Sequence, residues 1–417
     1  MDILLIILNM FDIIDKNKKY IKNVWYIKQR PIYNQKLDNF VSKNNIVVLT
    51  WLRRSWKSSI LLKYLENKKN IFYFSKEIDP KNKIKNNEDL NKLFEECSKS
   101  FSKIKYVVID EIQDIKNWEI FIRYIYALKK YKIIITWSNS KLLSSELSTF
   151  LAWRYHEISV YPLNFNEFLD FKWESYSTDI FKEYLIYWWL PEIVFLNDLL
   201  VKQNYLEMIK NSIILKDIIN RYNIRDYSVF ESIVKFLSDN IANLTTWRNI
   251  NWFLKNEWVK IVLSTILDYI NFCIQSFFIY KVNRYDLRWK KVLEINNKYY
   301  LSDLWIRSAI LWDFTTKNIW ALLENFVFNE LKKGWYEVFI WNYMDLEIDF
   351  VAKKDWIVKY FQVSYLLSDD LTFKREISGL IKINDLYQKF IVTLDEYRLW
   401  NYEWVEVIWI EGFLKSI

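Results

Sequence analysis

Residues 46–59 read Ile46-Val47-Val48-Leu49-Thr50-Trp51-Leu52-Arg53-Arg54-Ser55-Trp56-Lys57-Ser58-Ser59. The first five form a continuous, mostly β-branched apolar run, the pattern of a strand buried on both faces of a parallel sheet. From Lys57 to about Glu66 the pattern is helical. The turn between them would spell G-x-x-x-x-G-K-S if glycine stood at 51 and 56, and that is the loop whose backbone N–H groups turn inward around phosphate. The spacing has a physical reason. Positive φ and close backbone approach are needed at both glycine positions, and the following helix adds the positive end of its dipole. Lys57 would then reach the β- and γ-phosphates and the Ser58 hydroxyl would complete a magnesium shell. Tryptophan at 51 or 56 would fill the phosphate space and strain a left-handed backbone. Without glycine, the same stretch is a basic strand–turn–helix with no ligand.

Composition bears on that conflict. The chain has 417 residues, 3 glycines and 22 tryptophans, whereas an average chain of this length carries about 29 glycines. Lysine, isoleucine, asparagine and tyrosine are abundant, as in an AT-rich gene. The expectation is that many tryptophans stand for glycines, encoded by a reassigned stop codon and read under the wrong genetic code. Trp118 is an exception, since it opens an amphipathic helix where a large ring packs well.

The remaining numbers narrow the chemistry. A hydrophobic fraction of 52% supports real cores, and the length predicts two or three domains. Two cysteines exclude a disulfide scaffold, and one histidine, His156, excludes a histidine-based metal cage. A net charge of +8 permits an anionic partner without requiring one. The opening MDILLIILNMFDII is too short to span a bilayer and poorly built as a signal peptide, so a cytoplasmic protein without a membrane partner is expected.

Downstream of the loop, strands at 71–74, 106–109 and 133–136 alternate with helices at 88–99 and 118–130, which predicts an α/β parallel sheet with helices on both faces. The strand 106–109 ends in Asp110-Glu111. Carboxylates at that end of a parallel strand face the ligand crevice, where Asp110 would hold magnesium and Glu111 would polarise a water. Ser138 or Asn139, after the fourth strand, would sense a γ-phosphate, and Trp137 fits glycine there. Arg154 is a candidate for stabilising transferred phosphate charge, or an ordinary surface arginine. The nucleotide-binding candidates are therefore Trp51 through Ser59 with Ser138 and Asn139, and the catalytic ones Lys57, Glu111 and Arg154.

These stretches, TWLRRSWKSS (50–59), VVIDEIQD (107–114), ITWSNSKLL (135–143) and LAWRYHEISVYPLNFNEFL (151–169), continue into YWWLPEIV (187–194), KYYLSDLWIR (298–307), NIWALLENFVFNEL (318–331) and EIDFVAKKD (347–355). Together they resemble bacterial and archaeal AAA-type ATPases joined to a C-terminal region known as DUF4143, with tryptophan in nearly every motif where that family has glycine. The resemblance implies binding of ATP and Mg2+ and hydrolysis through Lys57, Ser58, Asp110 and Glu111. AAA-type cores often work as rings, but nothing in one sequence fixes an oligomer.

Residues 241–292 look like a winged helix, with a helix near 248–255, a second from an N-cap at Ser264 to about Gln275, and a basic hairpin. The second helix has no Lys or Arg, while the hairpin has Lys281, Arg284, Arg288, Lys290 and Lys291 against Asp286. DNA contact through 281–291 would be weak backbone contact, and a protein-packing role is the alternative. The last region, with a helix at 318–333 and strands near 336–341, 347–353 and 358–364, resembles the restriction-endonuclease-like fold. That fold binds magnesium through a helix acid, a strand Asp and an E/Q-x-K pair. Here Glu324, Asp349 and Gln362 match, but Ser364 stands where the lysine belongs.

The expected organisation is an N-terminal helical segment (1–45), an ATPase domain (46–170), a helical region with the winged-helix-like module (171–315) and an endonuclease-like domain (316–417). The expected function is an ATP-hydrolysing switch acting on its C-terminal modules. The alternatives are a DNA-binding or DNA-processing protein, and a non-catalytic interaction protein if Trp51 and Trp56 are genuine.

Overall fold

The computed structural model describes residues 28–43, 45–52, 56–76, 79, 82–100, 103–138, 154–187, 191–194, 196, 198–259, 261–286, 291–343, 346–367, 370–395, 399 and 401–417. Arg53, Arg54, Ser55, Asn139, Trp153, Arg288, Lys290 and the N-terminal run all lie outside them. The chain forms two compact units, Met1–Pro162 and Leu163–Ile417. Among the described residues, no helix is long and apolar enough to cross a membrane.

In the first unit, strands β1 (Ile46–Thr50), β2 (Ile71–Ser75), β3 (Tyr106–Asp110), β4 (Lys132–Trp137) and β5 (Tyr155–Ser159) form one sheet in the order β2-β3-β4-β1-β5. Every neighbouring pair is parallel. Strands β1 and β3, which flank the central β4, are buried along their whole length, as expected of a sheet covered on both faces. Phe72, Phe94, Phe121, Ile122 and Ile133 belong to the core on one side of it. The helices Lys57–Leu65, Asn87–Ser100 and Trp118–Ala127 fall where the apolar periodicity put them. Trp118 is buried in that core, with its ring 5.4 Å from that of Trp137. Trp137 itself closes β4 in extended backbone, so no left-handed geometry asks for glycine there. His156 stacks on Phe40 at 4.4 Å and shares a 3.0 Å hydrogen bond with Asn45, a packing role.

The second unit carries a nine-stranded mixed sheet. Its strands are β6 (Leu244–Thr245), β7 (Ile279–Asp286), β8 (Lys291–Leu301), β9 (Glu337–Tyr343), β10 (Leu346–Lys354), β11 (Ile357–Ser364), β12 (Gln388–Thr393), β13 (Asn401–Tyr402) and β14 (Val405–Trp409). They run β13-β14-β12-β11-β10-β9-β7-β8-β6. Hairpin β7–β8 thus shares a sheet with the C-terminal strands, through the pair Arg284 and Ile340. Helices Tyr227–Asp239, Trp247–Asn256 and Leu263–Gln275 precede that hairpin. Thr246 and Asn249 make a reciprocal capping box at the second of them. The third starts one residue early, with Val262 at the cap position, so Ser264 lies inside the first turn rather than capping it.

The helix ends carry an inversion of ordinary residue usage. None of the three glycines has positive φ, whereas Trp173, Trp258, Trp312 and Trp335 have φ of 59°, 60°, 52° and 67°. Each follows a helix. Beyond Trp258 the Val259 N–H donates to Leu254 O at 2.9 Å, while the Trp258 N–H donates to Lys255 O at 3.0 Å. Glu174 donates to Leu169 O, Asp313 to Ser308 O and Tyr336 to Leu331 O in the same six-to-one relation. This is the Schellman closure, whose left-handed residue is usually glycine because a Cβ is penalised there.

Candidate phosphate-binding site

Thr50 ends β1 and the chain turns at once. Trp51 has φ 153° and Trp56, which precedes the helix Lys57–Leu65, has φ 64°. Both values lie where an L side chain is disfavoured, the first in a region that is essentially glycine's alone. The Trp51 ring is buried edge-on against Tyr161 at 4.5 Å. Lys57 is buried at the first helical position. Its ammonium donates to Trp51 O at 3.0 Å and Leu52 O at 2.8 Å, and lies 3.5 Å from the Glu111 carboxylate.

The end of β3 completes the group. Asp110 is fully buried and accepts from three hydroxyls, those of Thr136, Ser58 and Tyr73, the last at 3.0 Å. Burial, reinforced by the neighbouring Glu111 charge, raises its carboxyl to about 6, and the three hydroxyls oppose the rise. Glu111 adopts φ 50°. Its backbone N–H donates to the Thr136 hydroxyl at 2.7 Å, and the Ser138 hydroxyl sits 2.7 and 2.6 Å from its two carboxylate oxygens. Gln113 also donates to Glu111. The loop lysine, the loop serine, both strand acids and Ser138 therefore converge. Ser59, next to Ser58, lies on the first turn of the helix.

Arg154 does not join them. It precedes β5, and its carbonyl accepts from Ile46 N–H at the start of β1, while its guanidinium lies over the Tyr126 ring at 5.7 Å. Five residues of strand, at ~3.3 Å each, put roughly 16 Å between that end of the sheet and the loop. Thr136 and Tyr73 were not recognisable as site residues from their own local sequence. A polar residue closing an apolar strand beside an acid-ended strand is the available signal for Thr136.

An acidic group in the second unit gathers Glu324 from the helix Ile319–Lys333 with Glu347 and Asp349 from β10. At its centre is Lys298 of β8, 2.9 Å from Glu324, 2.7 Å from Glu347 and 3.1 Å from Asp349. Lys298, Glu324 and Asp349 are buried and Glu347 is half-exposed. Tyr300 donates to Glu324 at 2.6 Å, and Val363 N–H to the second Asp349 oxygen at 2.9 Å. Gln362 is near but turned elsewhere: its amide oxygen accepts from Asp349 N–H at 3.3 Å and its amide nitrogen donates to Glu376 at 2.8 Å. Ser364 donates to Leu366 O at 3.1 Å. Lys298 opens KYYLSDLWIR as a lone lysine before an aromatic strand, and only the sheet order brings it to β10's acids.

A parallel sheet ordered β2-β3-β4-β1-β5, with a lysine–serine loop after β1 and an acid pair after β3, is a P-loop ATPase core. In agreement, the sequence pattern of an AAA domain family matches residues 43–169. An uncharacterized protein of Haemophilus influenzae is 33% identical over 396 residues, covering 92% of this chain and 98% of that one. The chain belongs to the same family as that protein, and its first unit holds an AAA-type P-loop ATPase domain. An uncharacterized protein of Methanocaldococcus jannaschii is 28% identical over 420 residues, covering 94% and 92% of the two chains. Among solved structures, a Walker-type ATPase of Pyrococcus abyssi shares the fold with a TM-score of 0.50 and 17% identity, over 68% of this chain and 96% of its own.

Proposed function

We propose that the natural protein carries glycine at 51 and 56, binds ATP with Mg2+ in the loop 51–59, and hydrolyses it to drive a switch in its C-terminal modules. The observation that carries this reading is the pairing of the Ser58 hydroxyl with the Asp110 carboxylate while Lys57 lies beside Glu111. A hydroxyl and a carboxylate are the hard oxygen donors that magnesium takes, the rest of its shell being phosphate and water. When bound, the ion would neutralise charge on the β- and γ-phosphates.

The roles of the chain's own groups follow from their positions. Lys57 leaves the Trp51 and Leu52 carbonyls for the β- and γ-phosphates. Glu111 accepts a proton from the attacking water, and Ser138 divides its hydroxyl between Glu111 and the γ-phosphate. The glycine assignment draws support from φ at 51 and 56 and from the four tryptophans closing helices. The test compares Mg·ATP binding and turnover for the chain as written and for Trp51→Gly with Trp56→Gly. Binding and hydrolysis by the glycine chain alone, abolished by Lys57→Ala, are expected. No binding by either chain refutes the reading and leaves an interaction protein.

For the C-terminal modules, the order β6-β8-β7 beside three helices favours a winged-helix-like unit. Its last helix, Leu263–Gln275, exposes Leu263 and Leu267 and has no basic residue, which favours packing on protein over reading of DNA. DNA binding at low salt that is lost on neutralising Lys281 and Arg284 would reverse that preference.

A further inference from the structure

The endonuclease-like resemblance implies magnesium among Glu324, Asp349 and Gln362, and the arrangement of these side chains does not fit it. Among the described residues, no group of His, Cys, Asp or Glu side chains is arranged to hold a metal ion. Gln362 points its oxygen at the Asp349 backbone rather than into the cluster. The centre of the three carboxylates is taken by the Lys298 ammonium.

We propose that Lys298 is the resident cation of this cluster, standing where a divalent ion would bind, so that the second unit keeps a nuclease-like frame without metal or cleavage. The Lys298 ammonium donates to Glu324 at 2.9 Å and to Asp349 at 3.1 Å and is ion-paired with Glu347 at 2.7 Å, so carboxylates of the chain itself surround it. Both hydrogen bonds and the ion pair go to carboxylates of this chain, which separates this lysine from one turned toward a scissile phosphate. The lysine ties β8 to β10 and to the helix Ile319–Lys333.

Because Glu347 is half-exposed, the cluster is reachable from solvent, and removing the ammonium should convert it into a metal site. The experiment titrates the full-length chain, free of nucleotide, with Mn2+ followed by electron paramagnetic resonance. Lys298→Met is expected to gain about one bound Mn2+, with an upward shift of its melting temperature in the metal, and to lose both when Asp349→Asn is added. The parent chain should show no Mn2+ site that depends on Asp349. Failure of Lys298→Met, or of the milder Lys298→Gln should the first not fold, to gain metal overturns the proposal. So does Mn2+ binding or Mg2+-dependent DNA nicking by the parent chain that Asp349→Asn abolishes, an arm that needs no lysine variant.

Discussion

Replacing Trp173, Trp258 and Trp312 together by glycine should stabilise the second unit. Each has φ between 52° and 60°, and holding an L residue left-handed costs about 1–2 kcal/mol. Glycine removes that strain but returns about 0.4–1 kcal/mol as extra freedom of the unfolded chain, leaving a gain of about 0.5–1 kcal/mol per site. Little packing is lost, because Trp258 is 94%, Trp173 85% and Trp312 54% exposed. The three close different helices and share no hydrogen-bond partner, so their effects should add to about 2 kcal/mol. At ~2–4 °C per kcal/mol for a unit of this size, the melting temperature read by circular dichroism rises by about 4–8 °C. Two controls isolate the cause. Alanine at the same sites keeps the Cβ and should give much less. Trp252→Gly, at a 68% exposed position inside the helix Trp247–Asn256, should destabilise by about 1 kcal/mol. If the alanine triple matches the glycine triple, the backbone argument fails, and with it the main structural support for glycine at 51 and 56.

Thr136 is a positioning residue for the acid pair, because its hydroxyl donates to Asp110 and accepts from Glu111 N–H. In the glycine-restored chain, Thr136→Val should lower kcat by roughly 10-fold with KM for ATP little changed, and Thr136→Ser should restore it; equal loss in both variants would make the role one of packing. Asp303 caps the helix Leu304–Leu311, and burial raises its carboxyl well above the usual range, with Lys333 opposing. The folded state then binds the extra proton, so stability should fall as pH rises above the unfolded value of about 4. Asp303→Asn keeps the cap and should flatten the fall in melting temperature between pH 5 and 8; an unchanged slope would place the titration elsewhere.

Most of the first unit was legible because its strands are unbroken apolar runs and its helices amphipathic. Strand β5 was missed: Tyr155-His156-Glu157-Ile158-Ser159 is polar and half-buried, an edge pattern that resembles loop. In the second unit β12 and β14 and the helix Asp370–Ile381 went unread, although Lys389–Thr393 is a buried run of the usual kind. The loop, the acid pair and Ser138 were readable from spacing, since each lies within two residues of a strand end. Arg154 was misplaced because motif adjacency along the chain says nothing about which end of a strand a residue occupies. Lys298 was invisible for a different reason, being brought to Asp349 by a sheet order in which β8 and β10 are separated by β7 and β9.

Thr136 on β4 and Ser138, the first residue past its end at Trp137, are two apart, one holding Asp110 and the other Glu111. The chemistry of the site is thus stored as a parity: odd and even positions of one strand are not interchangeable, although all of Ile133–Ile135 would be equally content in the core. A longer turn before β4, at Leu128–Tyr131, would leave the strand's alignment with Ile109 and Val47 intact. A single residue gained within β4 itself, ahead of Ile135, would present Ile135 and Trp137 to the two carboxylates instead. Such a protein would keep an apolar strand and have no means of aiming its acids, so this six-residue strand is where the demands of the core and those of the acid pair part company.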